Sequence, residues 1–335
     1  MTETPILDIR NLSVHFKVYG GVLKVLDGIN LVVQRGQKVG LVGETGCGKT
    51  TSMRAALRTL PMPPARIPGG EILFEGQDVL KMNGSQLRRV RGRGMAMVFQ
   101  DPTAALNPVF SVGQQMEAVV RYSTDSRLSR RETRKRAIVP LKEVALPDPE
   151  RMLDTYPVQL SGGMRQRVCI AMALVANPRL LIADEPGTSL DVTIQDQILR
   201  LLRNLVEEKG LSVIVITHTL GVVRELTDRV YVMYAGNMVE VAATPELFRE
   251  PFHPYTRGLM AAVPKLSGGG VSDGIPGHIP AYMHPPPGCR FHPRCPQAMD
   301  ICRQEKPAFY TVGSDHQVAC FLYRDGGASG GSDAH

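Results

Sequence analysis

Three stretches carry residue types suited to phosphate chemistry. GETGCGKT, residues 43–50, has the spacing Gly, four variable residues, then Gly-Lys-Thr. It follows an apolar run and opens a helical pattern, the context that gives this spacing meaning. Gly43, Gly46 and Gly48 would let the backbone curl so that the N–H groups of Glu44, Thr45, Cys47, Lys49, Thr50 and Thr51 face phosphate oxygens. A helix start there adds positive potential. Lys49 would reach the β- and γ-phosphates, and the Thr50 hydroxyl would hold Mg²⁺. LLIADE, residues 180–185, is an apolar strand that ends in two carboxylates. Asp184 is placed at a strand's C-terminal edge to bind the Mg²⁺ shell, and Glu185 to polarise an attacking water. LSGGMRQRV, residues 160–168, is a second anion-ready helix start. Ser161 is its cap, and Gly162 and Gly163 leave the backbone bare. One nucleotide bound within one chain would not need both starts; the alternative is that Ser161, Gly162 and Gly163 face ATP held by another subunit.

These residues need a scaffold of strands and helices. Short Val-, Ile- and Leu-rich runs at 38–42, 95–99, 180–184 and 213–217 read as buried strands. Helical patterns at 49–60, 168–176 and 193–209 alternate with them, which predicts an α/β fold with a largely parallel sheet. Residues 114–150 lack a strand signal and are rich in Arg, Lys and Glu, so a helical insertion is expected there. The composition changes after about residue 264. LSGGGVSDG reads as a flexible linker, and a Pro- and Cys-rich stretch follows. The tail 324–335 reads as disordered.

The bulk numbers close off several classes. The chain has 335 residues, which suggests about two domains. Its formal charge of +7 is mild for its length, and Trp is absent, which argues against a base-stacking platform. The longest apolar stretch falls short of the ~20 residues a membrane helix needs. MTETPILDIR has no basic segment followed by an apolar one, so a cytoplasmic location is expected. Six cysteines in that compartment read as free, catalytic or metal-binding. Cys47 reads as a small loop residue and Cys169 as core. The basic runs at 88–93 and 127–136 read as solvated surface, with attraction to an anionic lipid leaflet as the sharper alternative.

GETGCGKT, VFQDP, LSGGMRQR, LLIADE, the SLD at 189–191 and VITHTL occur in the order found in ABC ATPases, and residues 5 to about 265 resemble that family. The resemblance implies a P-loop ABC ATPase core with a parallel sheet, an antiparallel β subdomain and a helical subdomain at about 103–175. It also implies a head-to-tail dimer that sandwiches two ATP molecules, each between one chain's 43–50 loop and the other's LSGGM. By the matching motifs, Gln100 would contact Mg²⁺ and the attacking water, and His218 the γ-phosphate. Asp191 would lie across the dimer interface. Tyr19 is the implied adenine-stacking residue, with Val22 or Leu23 as alternatives. Gly187 and Thr219 stand where many relatives carry Thr and Asp, and neither replaces a residue with a direct chemical role.

FREPFHPYTRGLMAAVP, GCRFHPRCPQAMDIC and HQVAC resemble the end of oligopeptide- and dipeptide-type ABC importers. The domain reading is therefore 1–264 for the ATPase, 265–323 for a small Cys/Pro-rich C-terminal extension, and 324–335 for the tail. Cys289, Cys295, Cys302 and Cys320 are separated by five, six and seventeen residues, which is wide for a zinc ribbon. The resemblance implies a 4Fe–4S cluster on these four, with zinc or unligated thiols as alternatives and His292 and His316 as substitute ligands. It further implies a second ATPase subunit (a different chain), two transmembrane permeases, an external solute-binding protein and a peripheral position on the cytoplasmic face of the cell membrane. A soluble ABC ATPase acting on nucleic acid or ribosomes is the alternative from another class. The single ATPase core, few aromatics and importer-like tail weigh against it, and no nucleic acid partner is expected.

Overall fold

The computed structural model describes residues 4–124, 128–188, 190–262 and 274–324. The expected linker therefore lies outside the described residues except for Gly274, as do nearly all of the expected tail and Ser189. The described strands are β1 (Leu7–Val18), β2 (Gly21–Val33), β3 (Lys38–Val42), β4 (Ala65–Phe74), β5 (Gln77–Asp78), β6 (Met95–Val98), β7 (Leu180–Asp184), β8 (Ser212–Ile216), β9 (Arg229–Tyr234), β10 (Asn237–Ala243), β11 (Tyr310–Val312) and β12 (His316–Val318). The α-helices are α1 (Lys49–Ala56), α2 (Gly84–Arg89), α3 (Pro102–Ala105), α4 (Val112–Ser123), α5 (Arg130–Glu143), α6 (Pro149–Met152), α7 (Gly162–Leu174), α8 (Val192–Lys209), α9 (Leu220–Leu226), α10 (Thr244–Arg249) and α11 (Pro254–Ala261).

The chain divides into two compact units, each assembled from separated stretches. The first comprises Met1–Leu7, Val32–Lys38 and Leu73–Ile216. Its strands β6, β7 and β8 run parallel, with Val98 opposite Ala183 and Asp184 opposite Ile216. All five residues of β7 and of β8 are buried, as continuous apolar runs in a parallel sheet should be. Helices α2 to α8 belong to this unit, and α4, α5 and α6 make the described residues of the 114–150 insertion mostly helical, as expected. Its helix starts are specified locally. Ser111 with Gln114 caps α4, and Ser129 with Glu132 caps α5, each by a reciprocal pair of hydrogen bonds.

The second unit comprises Asp8–Leu31, Val39–Ile72 and Thr217–His335. In it β1 lies between β2 and β4, while β3 pairs parallel with β9 and β10 runs antiparallel to both β9 and β12. Its core includes Tyr234, Tyr255 and Phe291, whose rings meet at 4.7 to 5.4 Å between centroids. Three aromatic residues drawn from β9, α11 and the C-terminal segment thus pack as one cluster, with favourable tilted and edge geometries. Glu240 of β10 is fully buried, and its cost is offset by three partners. It accepts from the Phe252 N–H at 2.6 Å and the His253 N–H at 3.0 Å, and His316 Nε2 lies 2.7 Å away. That one carboxylate ties β10, the approach to α11 and β12.

Among the described residues no helix is long and apolar enough to cross a membrane.

Candidate active site

The loop 43–50 leaves β3 and turns into α1, as its spacing predicts. Gly48 caps the helix at φ 111°, a conformation that favours glycine. Gly43 has φ 150°, and a Cβ there would meet the Met233 carbonyl oxygen at 2.1 Å. Lys49 is buried, with Nζ donating to the carbonyls of Gly43 (2.6 Å) and Glu44 (3.0 Å). The ammonium is thus folded over its own loop, where incoming phosphate oxygens would compete for it. Cys47 is wholly buried, and burial raises its pKa despite Lys49 beside it. A protonated, enclosed thiol is inert, which agrees with the small-residue reading.

The first unit holds the carboxylates. Asp184 ends β7 at 2% exposure, and Glu185 follows at 7%. Glu185 sits at φ 46°, in the left-handed region, with its N–H bound to the Ile216 carbonyl at 2.8 Å. Non-glycine residues held there by surrounding bonds concentrate at functional sites. Gln100 Nε2 donates to Glu185 Oε2 at 3.0 Å, which brings together two predicted residues 85 positions apart. Ser161 is exposed and caps α7, accepting from the Met164 N–H at 3.3 Å. Asp191 caps α8, accepting from the Ile194 N–H at 3.0 Å, and is likewise exposed. Gly162 and Gly163 occupy the first turn of α7, where a Cβ on Gly163 would meet Ile194 at 2.8 Å.

In the second unit His218 is exposed just after Thr217, which is held by the Leu41 carbonyl. Tyr19 stands wholly exposed between β1 and β2, Val22 is exposed at 42% and Leu23 is partly buried.

Sequence reasoning passed over several residues at the loop. Arg294 makes a two-pronged ion pair with Glu44 at 2.8 and 3.0 Å. Tyr282 donates to the Gly46 carbonyl at 2.7 Å, and the Glu44 N–H donates to Tyr255 Oη at 2.8 Å. These partners lie more than 200 residues from the loop, beyond the reach of any spacing rule.

Cys289, Cys295, Cys302 and Cys320 line one small cavity together with His292. Burial pushes the Cys289 thiol up to about 11 and the Cys320 thiol to about 12, with the neighbouring thiols adding to both. His316 faces Glu240 instead. Among the described residues no three metal-ligating side chains close on one ion. Cys169 is buried in α7 near the Pro102 carbonyl, as a core residue should be.

A glycine-rich strand-to-helix loop with a buried lysine, and two strand-end carboxylates of which Glu185 is bonded to a glutamine, are the features of a P-loop ATPase. The profile described as ABC transporter matches residues 26–188, and that described as oligopeptide/dipeptide transporter, C-terminal region, matches 239–302. A probable peptide ABC transporter ATP-binding protein of Sinorhizobium fredii is 46% identical, covering 94% of both chains. The oligopeptide transport ATP-binding protein OppD of Bacillus subtilis is 43% identical, covering 95% of this chain and 89% of its own. A dimeric ATP-binding cassette in a post-hydrolysis state, bound to ADP and Pi, superposes with TM-score 0.63 at 28% identity, covering 71% of this chain and 98% of that one. The chain belongs to the ATP-binding proteins of peptide-type ABC transporters. It is an ATPase that uses ATP with Mg²⁺, and its α/β architecture is the ABC ATPase fold.

Proposed function

We propose that this chain powers peptide import as one of two ATPase subunits docked to a pair of permeases on the cytoplasmic face of the membrane, fed by an external solute-binding protein. The names of its relatives support peptides as cargo, and the dimeric neighbour supports a pair. The observation that carries the catalytic reading is the 3.0 Å bond between Gln100 and Glu185. It orients the carboxylate that would accept a proton from water as that water attacks the γ-phosphorus. Lys49 would neutralise the β- and γ-phosphates, with the backbone of 43–51 cradling them. His218 would donate to the γ-phosphate, and Tyr19 would stack on adenine. Thr50, Asp184 and Gln100 offer the oxygen donors that suit a hard cation, and Mg²⁺ held there would offset charge developing on phosphate. Ser161, Gly162 and Gly163 would serve the partner subunit's ATP, and the exposure of Ser161 at the cap supports that role. Asp191 would lie at the same interface.

Exposed Val109, Phe110, Tyr156 and Val158 give the first unit an apolar surface suited to a permease. The Val112 N–H bond to the Thr155 carbonyl holds those two stretches together. Residues 1–264 form the ATPase and 265–323 its extension in this reading. The extension would hold a 4Fe–4S cluster through Cys289, Cys295, Cys302 and Cys320. Four thiols lining one cavity support it, because a cluster takes its thiolates at separate irons and needs no single convergence point. The cluster would act as a structural or redox element, outside the hydrolytic chemistry.

Anaerobic purification of the tagged chain from gently solubilised native membranes tests the reading. Two multi-span permeases, a second related ATPase and about four irons per chain are expected. Recovery only in the soluble fraction, bound to nucleic acid or ribosomes, would overturn the import assignment. Permeases without iron would overturn the cluster alone.

A further inference from the structure

The phosphate loop is gripped from outside by the C-terminal segment. Arg294 is 6% exposed, and every direction of its guanidinium is used. Nε donates to the Pro276 carbonyl at 2.9 Å, and Nη2 to the Ile275 carbonyl at 2.9 Å and Glu44 Oε1 at 3.0 Å. Nη1 donates to Glu44 Oε2 at 2.8 Å and Tyr234 Oη at 3.4 Å. A guanidinium with all five donors engaged is fixed in place, and its fork fixes Glu44 in turn. Two residues further round the loop, Tyr282 holds the Gly46 carbonyl at 2.7 Å. The Tyr282 carbonyl itself accepts from the Lys24 N–H at 2.8 Å, which anchors the strap to β2. The next loop carbonyl, Cys47, accepts from Gly236 at 2.8 Å. Arg290, from the same C-terminal segment, holds the adjoining Ala235 carbonyl at 2.6 Å.

Of these bonds, those that reach the loop take it by the Gly46 and Cys47 carbonyl oxygens or by the Glu44 carboxylate, while the Glu44 N–H is held separately by Tyr255 Oη. In a trans peptide the N–H points away from its own C=O. The grip on the Cys47 carbonyl therefore turns the Gly48 amide toward the opposite side, where phosphate would lie, while the Cys47 N–H closes the loop on itself by donating to the Glu44 carbonyl at 3.2 Å. Converging amide dipoles repel one another while no anion is present. An external clamp that holds them converged lowers the ordering cost of binding.

We infer that Arg294 and Tyr282 are positioning residues for nucleotide, and that the C-terminal segment is a working part of the ATP site: it holds the 43–50 loop in its phosphate-binding form. This rests on the reading that the loop holds ATP phosphates, and one experiment separates the two claims. Mg·ATP is titrated calorimetrically into the full-length chain and its variants, and ATP turnover is measured alongside. Lys49→Ala should abolish binding, and wild-type affinity in that variant would remove the site reading itself. With binding lost in Lys49→Ala, Arg294→Ala should weaken Mg·ATP about tenfold and Tyr282→Phe about threefold. Arg294→Lys keeps the charge without the fork and should fall between wild type and Arg294→Ala. Glu44→Gln combined with Arg294→Ala should bind no more than twofold worse than Arg294→Ala alone, because both act on one contact. The KM for ATP should rise in step with the affinity loss while kcat stays within twofold, since the clamp serves binding and not the transition state. A general loss of structure would not produce that split. Affinity within twofold of wild type in both Arg294→Ala and Tyr282→Phe overturns the clamp. Should Arg294→Ala fail to fold, Tyr282→Phe and Glu44→Gln decide alone, and wild-type affinity in both overturns it.

Discussion

At the scale of single residues, Glu185 concentrates the proposed chemistry. Its backbone is held at φ 46°, its N–H is tied to Ile216, and its carboxylate receives the Gln100 amide. Each constraint narrows where the carboxylate can point, and orientation is what a general base requires. Glu185→Gln preserves shape and removes the charge that draws a proton from water. Mg·ATP affinity should stay within about threefold of wild type, while turnover of the assembled ATPase should fall by at least tenfold. Phosphate release at saturating ATP, set beside equilibrium binding, measures both. Turnover above about a tenth of wild type would remove Glu185 from the role of essential base.

At the scale of elements, α11 shows how a buried group couples the fold to pH. His253 is nearly fully buried, and its Nδ1 accepts the Tyr255 N–H at 3.0 Å, which caps the helix. Burial lowers its pKa from 6.5 to about 4, with Glu240 opposing that shift and Arg257 adding to it. The unfolded imidazole takes a proton near pH 6.5 and the folded one only near 4, so acidification through that window favours the unfolded chain. The stability contribution is full above pH 6.5 and declines as pH falls toward 4. At pH 5 the loss amounts to about 2 kcal/mol. His253→Asn retains a capping oxygen and does not titrate. Relative to wild type it should gain about 2 kcal/mol between pH 7.5 and pH 5 in chemical denaturation, and parallel curves would refute the assignment. Elements of this kind divide by how they could be read from sequence. The strands at 38–42 and 180–184 are legible because continuous apolar runs stand between turn residues. Helix α7 starts at Gly162, behind the Ser161 cap from which its start is read, although its apolar pattern is legible only from 168 because Arg165, Gln166 and Arg167 interrupt it. Strand β10 carries Asn237 and Glu240, polar residues that argue against a buried strand until their partners are known. The loop residues 43–50 were legible as a site because their spacing is local. Arg294 was not, because its partner lies 250 residues away.

At the scale of the whole molecule, the two units carry different parts of the proposed ATPase chemistry. The second holds the 43–50 loop and His218, and the first holds Asp184, Glu185, Gln100 and the start of α7 with its exposed Ser161 cap. In the proposed sandwich that start acts on ATP bound by the partner subunit, so damage there should leave this chain's own nucleotide binding intact. Ser161→Asp isolates the effect, because aspartate caps a helix as well as serine does and the Met164 N–H keeps an acceptor. The substitution adds only a negative charge where a partner's phosphate would approach, and close like charges in a desolvated site are strongly unfavourable. Mg·ATP affinity of the purified chain should stay within twofold, while turnover of the assembled ATPase pair should fall at least tenfold. The two readouts separate because binding is a property of one chain and turnover a property of the pair. A matching loss of affinity in the isolated chain would place Ser161 at its own nucleotide, and would remove the need for a partner to complete the site.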